Sequence, residues 1–405
     1  MPSAWRKPPA SNCRESHREH HRPRGFRAAG VKAGLKASGN PDLALVVNDG
    51  PNKAAAAVFT SNRVAAAPVH WSREVIKDGR VDAVILNSGG ANACTGPQGF
   101  QNTHTTAEKT AEVLGASATD IFVCSTGLIG EQLPMDKLVP AISVAAGELS
   151  ADGGPAAATA IMTTDSVSKQ AVFTGTDAEG REFTIGGMAK GAGMLAPGLA
   201  TMLVVLTTDA DVQPELLDVV LRDATRVTFD RADSDGCMST NDTVVLLASG
   251  ASGAAPSAAE FGRGLTQVCA ELARKLIGDA EGSSHDIAIR TFNAASEKDA
   301  EVVSRAVARS NLFKTAIFGK DPNWGRVLSA VGTTDAAFEP DQLNVAMNGV
   351  QICRNGSIGE DRNLVDLEPR EVLVEIDLQA GDAEATIWTN DLTHDYVHEN
   401  SAYSS

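Results

Sequence analysis

Residues 190–203 read K-G-A-G-M-L-A-P-G-L-A-T-M-L. A glycine-rich turn, broken by Pro197, runs into Ala200-Thr201 and then into the apolar run M-L-V-V-L-T-T. Residues 191–196 fit G-x-G-x-x-A, the fingerprint of a dinucleotide-binding turn. That turn must open a helix, and Pro197-Gly198 forbid one. A phosphate-binding P-loop needs Lys-Ser/Thr after its glycines, whereas Lys190 precedes them. A plain tight turn explains glycines at positive φ, but leaves the small Ala200-Thr201 pair at the head of a strand without a purpose. A fourth reading gives it one. A threonine hydroxyl is a weak nucleophile without an adjacent base. Cutting the chain before Thr201 creates an α-amine that titrates at about 7.7–8.0, close to working pH, and so supplies that base. The same hydroxyl makes the cut if a constrained turn holds it against the Ala200 carbonyl.

Working outward, short apolar runs ending in small polar residues read as buried strands entering turns. They are 81–86 (VDAVIL, followed by N-S-G-G-A-N), 121–124 (IFVC, followed by S-T-G), 202–208 and 243–248 (TVVLLA). Alternation marks 171–173 and 183–186. Helical periodicity covers 103–114, 135–149, 213–229 with Pro214 near its start, 258–277 and 297–308. Residues 286–289 and 312–317 read as strands, and 372–376 with 385–388 as an antiparallel pair. Helices and strands mix without a strict βαβ repeat, which predicts α+β layering.

The 405 residues, 43% hydrophobic, suffice for two or three structural units. A net charge of −16 argues against nucleic acid and anionic membrane as partners, and no apolar run approaches a membrane span. Six scattered cysteines signal neither zinc nor a disulfide framework, and a cytoplasmic location fits them. Residues 1–24 carry six Arg/Lys, three histidines and several prolines without an apolar h-region. They read as a disordered or non-native tail.

Taken together, the motifs resemble the ornithine acetyltransferases (glutamate N-acetyltransferases), and the resemblance runs from Gly25 to Ser405. It rests on the glycine stretch, N-S-G-G-A-N-A-C-T-G (87–96), C-S-T-G-L-I-G (124–130), I-M-T-T-D (161–165), D-G-C-M-S-T-N-D (235–242), K-T-A-I-F-G-K-D-P-N-W-G-R (314–326) and Y-V-H-E-N-S-A-Y (396–403). It implies an α+β fold with a layered αββα, DmpA-like core and a smaller C-terminal α+β portion. The cut would give an alpha chain, 25–200 after the tail, and a beta chain, 201–405. Thr201 would be the nucleophile, Ala200-Thr201 the cleavage site, and Thr126 with Gly127 the oxyanion hole. Substrate contacts would be Thr163, Lys190, Thr201, Glu281, Asn400 and Ser405. The motif does not choose between Thr163 and Thr164. Lys190 suits a carboxylate and Glu281 an ammonium. After Glu281 the family has small-Thr-Lys, where this chain has Gly282-Ser283-Ser284-His285. The change puts a structural charge contact at issue.

The implied reaction is acetyl transfer from N2-acetyl-L-ornithine to L-glutamate through an acetyl-Thr201 ester, in arginine biosynthesis. It needs no metal or organic cofactor, with acetyl-CoA as a further candidate acetyl donor. The resemblance also implies an (αβ)2 heterotetramer. The rival readings are an N-terminal-nucleophile amidohydrolase or aminopeptidase, an acyltransferase relative adapted to secondary metabolism, and a non-catalytic amino-acid-binding protein.

Overall fold

The computed structural model describes residues 22–196 and 202–402. The first part contains β1 (Phe26–Val31), β2 (Leu43–Asn48), β3 (Ala54–Phe59), α1 (Ala67–Val75), β4 (Ala83–Ser88), α2 (Gly96–Leu114) and β5 (Ile121–Thr126). Then follow α3 (Met135–Gly147), α4 (Gly154–Ala160), β6 (Lys169–Thr176), β7 (Glu182–Lys190), β8 (Leu203–Thr208), α5 (Pro214–Arg226), β9 (Thr243–Ala248) and α6 (Ala258–Gly278). The C-terminal portion holds β10 (Asp286–Ala294), α7 (Glu297–Ala308), α8 (Asn311–Phe318), α9 (Trp324–Val331), β11 (Asn344–Met347), β12 (Val350–Arg354), β13 (Ser357–Ile358), β14 (Glu371–Asp377), β15 (Ala383–Asn390) and α10 (His394–Ala402).

Two sheets build the core. One has the order β1-β2-β4-β5 and the other β3-β9-β8-β7-β6. Strand side chains alternate between faces, and here both faces are buried. On β4 and β5, Val84, Leu86, Phe122 and Cys124 meet Leu203, Val205, Val245 and Leu247 of the facing sheet. Ala83, Ile85, Ile121 and Val123 point the other way, with Ala107 of α2 and Leu138 and Ile142 of α3. Val204, Leu206, Val244 and Leu246 pack with Leu217 and Leu221 of α5 and Leu265 and Leu272 of α6. The layers are therefore helix, sheet, sheet, helix, as expected. Burial on both faces explains why these strands read as continuous Val/Leu/Ile runs.

A third, six-stranded sheet, β13-β12-β11-β14-β10-β15, forms the C-terminal portion. Its apolar face carries Ile289, Val345, Val374 and Ile387 and packs with Val303 and Val307 of α7 and Val327 of α9. Several local readings change here. Residues 312–317 are not a strand but lie in α8. Ser310 caps that helix by accepting the Phe313 N–H at 3.3 Å, and Phe313, Ala316 and Ile317 are buried at helical spacing. Strands β14 and β15 are not paired with one another, because β10 lies between them, parallel to β14 and antiparallel to β15. Helix α2 begins seven residues before the expected Thr103. Its buried face there is Gly99 and Asn102, which carry no apolar period. Arg22–Arg24, within the stretch read as tail, contact the core: the Arg24 N–H donates to Asp209 at 3.1 Å.

Candidate active site

Three strand ends meet at one edge of the sandwich. Strand β5 stops at Thr126, β7 at Lys190, and β8 begins just after Met202, with Lys190 paired across from Leu203 and Leu203 across from Thr243. Thr201, Ala200 and Ser405, expected as nucleophile, cleavage position and terminal contact, lie outside the described residues.

Lys190 is the centre of the described part of the site. Its side chain is only 2% exposed, and Nζ donates to Thr163 Oγ1 at 2.6 Å and to Thr126 Oγ1 at 3.3 Å. The structure thus brings Thr163 to Lys190, while Thr164 lines a neighbouring cavity of about 500 Å³ with Glu281. Burial pushes the Lys190 ammonium below its ordinary range. Asp165 opposes that shift, Lys169 adds to it, and Glu281 and Asp242 oppose it more weakly.

Asp165 holds the group together. Oδ1 accepts the Gly191 N–H at 2.6 Å and the Lys169 Nζ at 2.6 Å, while Oδ2 accepts the Thr163 N–H at 2.9 Å and stands 4.0 Å from Lys190 Nζ. Burial alone would raise this carboxyl. The two lysines and the Thr163 N–H outweigh burial and hold it at about 2. Lys169 also reaches Asp279 at 2.5 Å. Two buried ammoniums and two carboxylates therefore form one network, in which each charge has a partner. That pairing is the condition under which buried ions are tolerated.

Gly127 follows Thr126 at φ +130°, and a Cβ there would come within 2.5 Å of the Gly90 nitrogen. The turn is clamped because the N–H groups of Gly89 and Gly90 donate to the Thr126 carbonyl at 2.9 and 3.0 Å. Asn241 secures it from the opposite sheet, donating to Ser125 O at 2.8 Å and to Ala91 O at 2.7 Å.

The glycine stretch needs its glycines for contact. Gly191 has φ +155°, and a Cβ on Gly193 would lie 2.6 Å from the Glu281 carboxylate. The Glu281 N–H donates to Ala192 O at 3.0 Å, so Glu281 lies over the turn and in the same field as Lys190. His285, 4% exposed, fills the position at issue with a buried contact to Asp391. Nδ1 meets Asp391 Oδ2 at 2.7 Å, and the backbone N–H groups of Ser284 and His285 both donate to Asp391 Oδ1 at 2.9 Å. Asn400 lies on α10, exposed, with its amide donating to the Tyr396 carbonyl at 3.0 Å. No contact joins it to Lys190 among the described residues.

Asp165, Lys169, Asp279, Asn241 and Asp242 were missed as functional positions. Three of the five stand inside quoted motifs, in I-M-T-T-D and D-G-C-M-S-T-N-D. Nothing in a linear sequence separates a buried charge network from solvated surface charge.

Residues 27–405 match the family model described as ArgJ family. The chain belongs to the ArgJ family. It is 66% identical over 382 residues to the arginine biosynthesis bifunctional protein ArgJ of Streptomyces coelicolor, covering 94% of this chain and 98% of that one. It is 53% identical over 390 residues to the protein of the same name from Mycobacterium leprae, covering 95% of each. Among solved structures, an ornithine acetyltransferase complexed with ornithine from Mycobacterium tuberculosis is 55% identical. That match covers 45% of this chain and 94% of the solved one, with a TM-score of 0.41.

Proposed function

We propose that this ArgJ-family chain is an acyltransferase of arginine biosynthesis that moves an acetyl group from N2-acetyl-L-ornithine to L-glutamate. The observation that carries the reading is the buried Lys190. Its ammonium is held between the hydroxyls of Thr126 and Thr163 at the strand edge from which the Thr201 segment departs. Lys190 offers a cation and Glu281, from the neighbouring cavity, a carboxylate, the two signs that a zwitterionic amino acid requires.

In this mechanism the Thr201 amine takes the hydroxyl proton and Oγ attacks the acetyl carbonyl. The developing oxyanion is met by the Thr126 hydroxyl and the Gly127 N–H, donors of a kind worth about 3–4 kcal/mol each. Lys190 close to Thr126 Oγ1 favours negative charge there. Ornithine leaves with the amine proton, and an acetyl-Thr201 ester remains. The glutamate amine then attacks the ester, and the hydroxyl is restored as N-acetylglutamate departs. No cofactor enters. Thr163, Asn400 and Ser405 are assigned to substrate contact on the family resemblance, with Thr163 preferred to Thr164 because it meets Lys190. Loading the same hydroxyl from acetyl-CoA would give a second activity without a new site, measurable as glutamate acetylation in the absence of acetylornithine.

Fragments 1–200 and 201–405 share one sheet in this reading, since β3, β6 and β7 come from the first and β8 and β9 from the second. The resemblance extends this to an (αβ)2 heterotetramer, which sedimentation of the cleaved protein tests. A cytoplasmic location accords with free thiols at Cys94, Cys124, Cys237, Cys269 and Cys353. No helix among the described residues is long and apolar enough to cross a membrane. The deciding assay is ornithine release from acetylornithine with and without glutamate. Release that depends on glutamate, with parallel double-reciprocal lines, is expected. Release at an equal rate without glutamate would make the protein a hydrolase.

A further inference from the structure

Asp242 has no part in the acetyl transfer described above, yet its placement is unusual. It ends the loop before β9 and is 0% exposed. Oδ1 accepts the Met202 N–H at 3.0 Å, whereas Oδ2 is buried and has no hydrogen-bond partner among the described residues. An isolated carboxylate in such a place costs several kcal/mol, and the group neutralises instead. Burial accordingly drives this carboxyl well above its ordinary range, although the Met202 N–H, Ser239 and Lys190 favour the anion. In its neutral form this carboxyl would carry its proton on Oδ2, the oxygen that has no hydrogen-bond partner among the described residues. Covalent geometry keeps the nitrogens of consecutive residues within about 4 Å of each other. Thr201, whose nitrogen belongs to the Ala200–Thr201 bond, is the residue next in sequence to Met202, whose N–H Asp242 accepts.

We propose that Asp242 is the proton shuttle of self-cleavage before Thr201. This rests on the reading of Thr201 as the nucleophile. Thr201 Oγ attacks the Ala200 carbonyl carbon, a C–O bond forms, and the Ala200–Thr201 C–N bond breaks. The departing nitrogen needs a proton, which Asp242 supplies from Oδ2. The carboxylate left behind takes up the proton that the threonine hydroxyl loses. An ester and a free amine result, with Asp242 restored. Water then attacks the ester carbonyl, freeing the Ala200 carboxylate and the Thr201 hydroxyl.

The test follows cleavage of the full-length chain by denaturing mass measurement in wild type, Asp242→Asn and Thr201→Ala. Asparagine keeps an oxygen for the Met202 N–H but cannot shuttle a proton. Cleavage of Asp242→Asn should slow at least ~100-fold. Its uncut chain should melt with that of Thr201→Ala and should resist hydroxylamine, because no ester has accumulated. Asp242→Glu, which keeps the acid, should regain cleavage. Cutting of Asp242→Asn at the wild-type rate would overturn the proposal, and so would an uncut Asp242→Asn chain that hydroxylamine cleaves. Failure of both variants with a melting point below that of Thr201→Ala would assign Asp242 to packing instead. An uncut wild type would remove the Thr201 reading itself.

Discussion

A lysine ammonium taken out of water needs compensation, and Lys190 finds it in Asp165 and two hydroxyls. Lys190→Met removes the charge and keeps much of the packing. It should leave a folded protein whose kcat/KM for acetylornithine falls about 100-fold, the usual scale for one charge-assisted contact at the reacting centre. Asp165 makes a prediction about pH. Its folded-state value of about 2 lies below the ordinary ~3.9 of an unfolded chain, so its anion stabilises the fold above the unfolded value. That contribution, about 2 kcal/mol, is lost as pH falls from about 4 through 2. Asp165→Asn should therefore lower the urea midpoint at pH 7, and the gap from wild type should narrow at pH 3. A gap that is unchanged between the two pH values would show that the lysines do not hold this carboxyl down.

At the scale of elements, the site depends on how strand ends are clamped. Gly127→Ala places a Cβ 2.5 Å from the Gly90 nitrogen at a φ that L-residues avoid. It should cost about 2–3 kcal/mol and displace the N–H assigned to the oxyanion, so kcat should fall more than KM rises. A kcat equal to wild type would remove Gly127 from the oxyanion hole. The loop after Glu281 depends on Asp391. His285→Lys restores the residue type that the family resemblance leads one to expect and should keep activity. His285→Ala leaves the Asp391 carboxylate without its imidazole partner and should lower the melting temperature. Equal melting temperatures for the alanine and lysine variants would contradict this role. The sequence shows these elements unevenly. Strands β4, β5, β8 and β9 are legible because both of their faces are apolar. Strand β3 is not, since Ala54–Ala57 provides small residues that pack between layers without a strand-like period. Helix α8 is mistaken for a strand because Leu312–Ile317 is a stretch of only six residues, too few for the helical period to show. Thr126 and Lys190 stand out through their motifs, but the partners of Lys190 do not. Asp165, Lys169 and Asp279 become one network only when β6, β7 and α6 fold together.

For the whole molecule, the sandwich explains how a chain can be cut in its centre and remain one body. The proposed cut would fall between neighbours in one sheet, where β7 pairs with β8 from Ile185↔Thr208 to Lys190↔Leu203. The fragments should co-elute on gel filtration and separate only in denaturant. Separation under native conditions would mean that the two chains do not share this core. The acetyl-threonine intermediate is the centre of the account, and one experiment addresses it directly: the intact mass of the denatured protein after incubation with acetylornithine, with and without glutamate. Two fragments are expected, 1–200 and 201–405, with a single acetyl group on the second at Thr201 that disappears when glutamate is added. A chain that stays whole, or fragments that turn over substrate without ever carrying an acetyl group, would contradict it.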